Sequence, residues 1–157
     1  MKLGRDSLKV YFDVCCYNRP FDDKLNDRIE LETNAILSIL YRCRNLGWNI
    51  YKSDIVNDEI DQIGHRDKKS KVLMLASLAS CYITLDDDII ARARILQGFG
   101  FKPYDSLHLA SAESAGIDIF FSTDKKLCNK AKAVPLYIKV YNPVEWLLEV
   151  TENEDGY

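Results

Sequence analysis

The sequence has no long apolar run. None of its stretches approaches the roughly 20 consecutive apolar residues of a membrane-spanning helix, and Arg5 and Asp6 stand where a signal peptide would carry its apolar centre. It also lacks any excess of basic residues. With 21 Lys and Arg against 24 Asp and Glu, the formal net charge is −3, which argues against binding duplexes by bulk charge. Its five cysteines are odd in number and form no CxxC, so neither a disulfide framework nor a thiolate zinc site is indicated. Free thiols in a reducing cytoplasm are expected, with Cys43 and Cys81 as small core residues. With only seven glycines, there is no GxGxxG and no Gly-rich P-loop, and GxSxG and HExxH are missing too. Cys15 and Cys16 are conceivable nucleophiles, but no histidine neighbours them in sequence.

What is present is a 157-residue chain, 47% hydrophobic and 29% charged, suited to one globular domain. Short β-prone runs end at Phe12, Lys52, Leu85, Phe121 and Tyr141. Between them lie helical patterns at about 27–46, 53–63, 67–79, 86–99, 103–115 and 124–131, with a last helical turn at 144–148. The segment 14–26, with Asn18, Pro20 and Asp22, reads as a loop. Alternating strands and helices imply an α/β/α sandwich with a mostly parallel central sheet. One domain is expected over residues 1–150, followed by an acidic, disordered tail at 151–157.

Parallel α/β sheets carry their sites at the carboxyl ends of the strands, and the carboxylates fall accordingly. Asp13 directly follows Val10-Tyr11-Phe12, although a strand end also suits an ordinary turn aspartate. Asp124 follows Phe120-Phe121-Ser122-Thr123, a place that also suits a helix N-cap. Glu59 falls four after Ile55, three after Val56 and four before Ile63, on the apolar stripe of its helix. A carboxylate there either needs a proton, a partner or a metal, or snorkels from the stripe's edge. Asp105 sits in the first turn opened by Pro103, where the helix dipole favours an anion. It shares a face with His108, a spacing that can ligate a metal, while His108 also suits a hydrogen-bonding role beside the site or in the core. Glu32 interrupts the stripe of the long helix four residues before Ile36 and is a weaker candidate of the same kind. His65, in a charged stretch, reads as solvated.

Four segments together resemble the PIN-domain family. They are Val10-Tyr11-Phe12-Asp13, Ser53-Asp54-Ile55-Val56-Asn57-Asp58-Glu59-Ile60, Tyr104-Asp105-Ser106-Leu107-His108-Leu109-Ala110 and Phe121-Ser122-Thr123-Asp124. Each is weak alone; their order and spacing are more specific, and the likeness runs from Leu8 to Leu147. Ser122 stands where the family's motif has threonine and keeps the hydroxyl. The Asn18-Arg19-Pro20-Phe21-Asp22 stretch resembles a prokaryotic subgroup, the VapC group.

The resemblance implies a ribonuclease that hydrolyses RNA phosphodiester bonds, with the toxin role of a toxin–antitoxin pair as one expectation. Asp13, Glu59, Asp105 and Asp124 would be its catalytic, metal-holding residues, with Ser122 as a hydroxyl helper. Hard oxygen donors favour Mg²⁺ or Mn²⁺. RNA, an antitoxin protein and a second copy of the chain are the implied partners. The helices over 67–99, carrying Leu73, Met74, Leu78 and Ile95, have more apolar side chains than one packed face requires. Cations for RNA are scattered: Arg19, Arg28, Lys102 and Lys125. The rival reading is a non-catalytic PIN-fold binding module for RNA or protein. A response-regulator-like phosphoryl enzyme fits less well, because Asp13 comes early and Lys139 lies within a strand rather than after one.

Overall fold

The structure, a computed structural model, describes residues 7–23 and 25–154. The amino-terminal reading at Arg5 and Asp6 and the last three residues of the acidic tail lie outside the described residues. Five parallel strands, β1 (Lys9–Phe12), β2 (Asn49–Ser53), β3 (Cys81–Ile83), β4 (Ile119–Phe121) and β5 (Lys139–Tyr141), form one sheet in the order β3-β2-β1-β4-β5. The helices are α1 (Val14–Asn18), α2 (Asp27–Leu46), α3 (Asp54–Asp61), α4 (Arg66–Ala76), α5 (Asp87–Gly98), α6 (Pro103–Ser114), α7 (Lys125–Ala133) and α8 (Pro143–Glu154).

Local chemistry sets these boundaries. Asn26 caps α2 by accepting from the Arg28 N–H at 2.8 Å, and Gly47 ends it at φ 68°, a left-handed conformation that suits glycine. Ser53, Asp86 and Asp124 cap α3, α5 and α7 with their side chains. β1 and β4 are central and have no polar-out alternation, as expected of parallel strands covered on both faces. Their aromatic residues stack across the β1–β4 pair. Tyr11 lies on Phe120 (5.1 Å between centroids) and Phe12 on Phe121 (5.2 Å), and Phe121 meets Trp146 of α8 edge-on. Each such fully buried aromatic contributes on the order of 2–3 kcal/mol.

Two readings of the sequence are corrected. Residues 14–21 are not loop: α1 is followed by a 3₁₀ turn at Arg19–Phe21. A five-residue helix is too short to show periodicity, and it persists because Val14, Cys16 and Tyr17 are buried by the tertiary fold. The terminal helix continues through Glu154, so Thr151–Glu154 are helical rather than disordered. Val150 is fully buried and Thr151 Oγ1 donates to the Leu147 carbonyl at 2.8 Å.

The strand order places the functional edge. The chain builds β1, β2 and β3 outward in one direction, then returns to add β4 and β5 on the other side of β1. The order reverses between β1 and β4, and ligands of such sheets bind in the crevice beyond the carboxyl ends at that point. Asp13 ends β1 there, and Ser122-Thr123-Asp124 follow β4.

Candidate metal centre

Asp13 is tied to both central strands. Its N–H donates to the Phe121 carbonyl at 2.9 Å, extending the β1–β4 ladder by one residue. The residue is 5% exposed. Its Oδ2 accepts from Ser122 Oγ at 2.9 Å and from Cys15 Sγ at 3.3 Å. Ser122 in turn accepts from the Asp124 N–H at 3.1 Å, so this buried hydroxyl links the two strand-end aspartates. Asp124 also caps α7, with Oδ1 accepting from the N–H groups of Lys126 and Leu127.

Glu59 and His108 meet across α3 and α6. His108 Nε2 lies 2.6 Å from Glu59 Oε1 and 3.8 Å from Asp13 Oδ1. An ionised carboxylate only accepts, so the Nε2–H donates to Glu59. The other ring nitrogen, Nδ1, is 2.7 Å from the Tyr11 hydroxyl, which is itself 2.7 Å from Ser53 Oγ. Ser53 accepts from the Val56 N–H, closing a buried chain from the α3 cap to the imidazole. Burial alone would depress the His108 pKa; the Glu59 hydrogen bond and the charges of Asp13, Glu59 and Asp105 outweigh it, and the pKa is raised. Glu59 is thus a paired carboxylate, yet its side chain is 32% exposed, so it opens to solvent where the stripe alone suggested fuller burial.

Asp105 completes the set electrostatically. Its carboxyl is pushed up to about 6, first by burial and then by the negative charges of Asp13 and Asp124, with a smaller contribution from Glu59. Such a carboxyl is partly desolvated beside other carboxylates, with His108 acting in the opposite sense. Asp105 thus lies within electrostatic reach of Asp13, Asp124 and Glu59, while the close ligand group among the described residues is Asp13, Glu59 and His108.

The donor set suits a divalent cation. Asp13, Glu59 and His108 each offer one ligand atom, and those atoms lie within 4.8 Å of one another. Carboxylate oxygens fit Mg²⁺ or Mn²⁺, and the imidazole leans toward the transition metal. Tyr11 supplies the outer partner that orients a ligating imidazole.

Glu32 is placed elsewhere. It is 2% exposed and pairs with Arg19 Nε at 3.0 Å and Arg28 Nε at 3.2 Å, and it accepts from Asn142 Nδ2 at 2.8 Å. The same guanidinium groups reach Thr123, Arg19 at its Oγ1 and Arg28 at its carbonyl. Glu32 thus steadies the turn before Asp124 from outside the Asp13–Glu59–His108 group, and it occupies two of the cations considered for RNA. His65, solvent-exposed as expected, caps α4 by accepting from the Lys68 N–H. Cys43 is buried, whereas Cys81 is only partly so. The roles of Tyr11 and Cys15 were missed in the sequence. Only Tyr11 gave a signal, since a tyrosine within a fully apolar central strand needs a partner for its hydroxyl.

Comparison with solved structures gives the fold a place. The chain is similar to one in VapBC2 from Rickettsia felis bound to a DNA fragment from its promoter. The TM-score is 0.59 at 15% identity, covering 86% of this chain and 98% of that one. A toxin–antitoxin complex from Klebsiella pneumoniae gives a TM-score of 0.57 at 18% identity, covering 85% and 97%. The fold is PIN-like. No family model matches the sequence, and no curated protein matches it significantly. At these identities the likeness is one of fold; the case for chemistry rests on the side chains.

Proposed function

We propose that this PIN-like chain is a metal-dependent endoribonuclease. The observation that carries the reading is the close Asp13–Glu59–His108 group, with Asp105 in electrostatic reach of it, its carboxyl pushed up to about 6 by burial and then by the charges of Asp13 and Asp124. A protein folded for contacts alone gains nothing from such mutual repulsion, which weighs against the non-catalytic binding module. Asp13, Glu59, Asp105 and Asp124, with His108 beside them, would hold the cation. A divalent cation bound there offsets phosphodiester charge and lowers the pKa of water. Ser122 holds the Asp13 carboxylate in one orientation, and the Ser53–Tyr11–His108 chain does the same for the imidazole that meets Glu59.

The toxin-like fold makes an antitoxin protein the proposed regulatory partner and RNA the proposed substrate. A homodimer is proposed from α4 and α5 and the residues just after them, where Met74, Leu78, Ile95 and Phe99 are each roughly half exposed or more. No helix among the described residues is long and apolar enough to cross a membrane, and all five thiols are free, which fits the reducing cytoplasm proposed for it.

The test is cleavage of RNA by the purified chain with Mn²⁺ or Mg²⁺. Cleavage should vanish with EDTA, and Asp13→Asn should remove most of it while the fold is retained. Undiminished cleavage by metal-free protein overturns the reading, as does full activity of Asp13→Asn.

A further inference from the structure

Beside the acidic group lies a small cavity of about 110 Å³ whose lining includes Gly100, Lys102, Asp105, Asp124, Lys126 and Lys130. Three lysines are gathered there, Lys102 from the α5–α6 connection and Lys126 and Lys130 from one face of α7. The ammonium of Lys130 is drawn over the backbone of Gly100: a Cβ at Gly100 would lie 2.6 Å from Lys130 Nζ. Gly100 also adopts φ 103°, a backbone conformation that calls for glycine.

Lys130, in the last turn of α7, suits the helix dipole, but local stability does not account for Lys102 and Lys126. Lys102 is the N-cap residue of α6 and Lys126 lies in the first turn of α7. Helix N-termini carry partial positive charge and favour anions, so lysines there act against the helix dipole. None of the three lysines has an ion pair among the described residues. Three lysines and the starts of two helices of 12 and 9 residues therefore line one hollow together with Asp105 and Asp124.

We propose that this hollow is a subsite for a backbone phosphate of single-stranded RNA, one position removed from the phosphate at the acidic centre. It rests on the nuclease reading above and adds to it where the strand lies: along the α6–α7 side of the crevice, anchored by Lys126 and Lys130. A chain with no net basic field needs such a local cation cluster to bring a polyanion up to carboxylates.

The test measures binding apart from cleavage. The metal-free full-length chain is titrated with a short fluorescent oligouridylate across a range of KCl concentrations. Lys126→Gln/Lys130→Gln should weaken binding roughly tenfold or more at low salt. It should also flatten the log–log salt dependence by about 1.4, because each phosphate contact on a single strand contributes about 0.7. Lys132→Gln, on the same helix but lining a different hollow, should change neither. In Mn²⁺ the double variant should raise KM far more than it lowers kcat. Unchanged affinity and slope in the double variant overturn the subsite, even if the wild type cleaves RNA well. Altered Mn²⁺ affinity with unchanged RNA binding overturns it too, since the lysines would then serve only to offset Asp105 and Asp124. Lysine-dependent RNA binding by a chain that cleaves with no metal supports the subsite and removes the metal-dependent reading instead. No measurable binding by the wild type counts against the subsite.

Discussion

Asp105→Asn should make the metal-free protein more stable at neutral pH, although it removes a residue of the proposed site. A carboxyl whose pKa rises from 3.8 to about 6 on folding binds its proton more tightly in the native state. Below about pH 4 both states are protonated and the residue costs nothing. As pH rises through 6 the native carboxyl must ionise among Asp13, Asp124 and Glu59, and stability falls. The full cost is roughly 3 kcal/mol, and partial solvent access reduces it toward roughly 1.5 kcal/mol. Asparagine keeps the shape and escapes the cost. In thermal unfolding with EDTA, the variant should therefore exceed wild type by roughly 4–10 °C at pH 7.5, with the gap closing toward pH 4. Saturating Mn²⁺ should reverse the order, because only the wild type offers the cation its full charge. A gap independent of pH, or a less stable variant at pH 7.5 in EDTA, would refute the electrostatic account of this site.

Other perturbations probe the surroundings. Glu32→Ala leaves Arg19 and Arg28 facing each other without their buried carboxylate and should cost roughly 2–4 kcal/mol in urea unfolding; a loss under about 0.5 kcal/mol would mean the pairing is inconsequential. Binding of Mn²⁺ near pH 6.5 should release protons, from the raised Asp105 carboxyl and from His108 Nε2, visible as a buffer-dependent heat in calorimetry; identical heats in buffers of different ionisation enthalpy would count against it. Sedimentation at micromolar concentration should show a dimer for wild type and a monomer for Met74→Glu/Ile95→Glu; a wild-type monomer would remove the dimer proposal.

Much of this was legible in the chain itself, because it depends on short-range pattern. Hydrophobic period marked α2 over 27–46, and in the structure Asn26 and Gly47 fix those ends by local hydrogen bonding and backbone freedom. Strand-end position pointed to Asp13 and Asp124, and the interrupted stripe pointed to Glu59. None of that local information could reveal α1 or the carboxyl-terminal turns of α8. Those exist because Tyr17 and Val150 find buried surfaces supplied by distant residues. Nor could it distinguish Glu59 from Glu32. Both interrupt apolar stripes, and only the fold sets one against His108 and the other between two arginines. The elevation of Asp105 and the gathering of Lys102, Lys126 and Lys130 likewise belong to tertiary structure alone, because charge acts through space and the strand order decides which charges become neighbours.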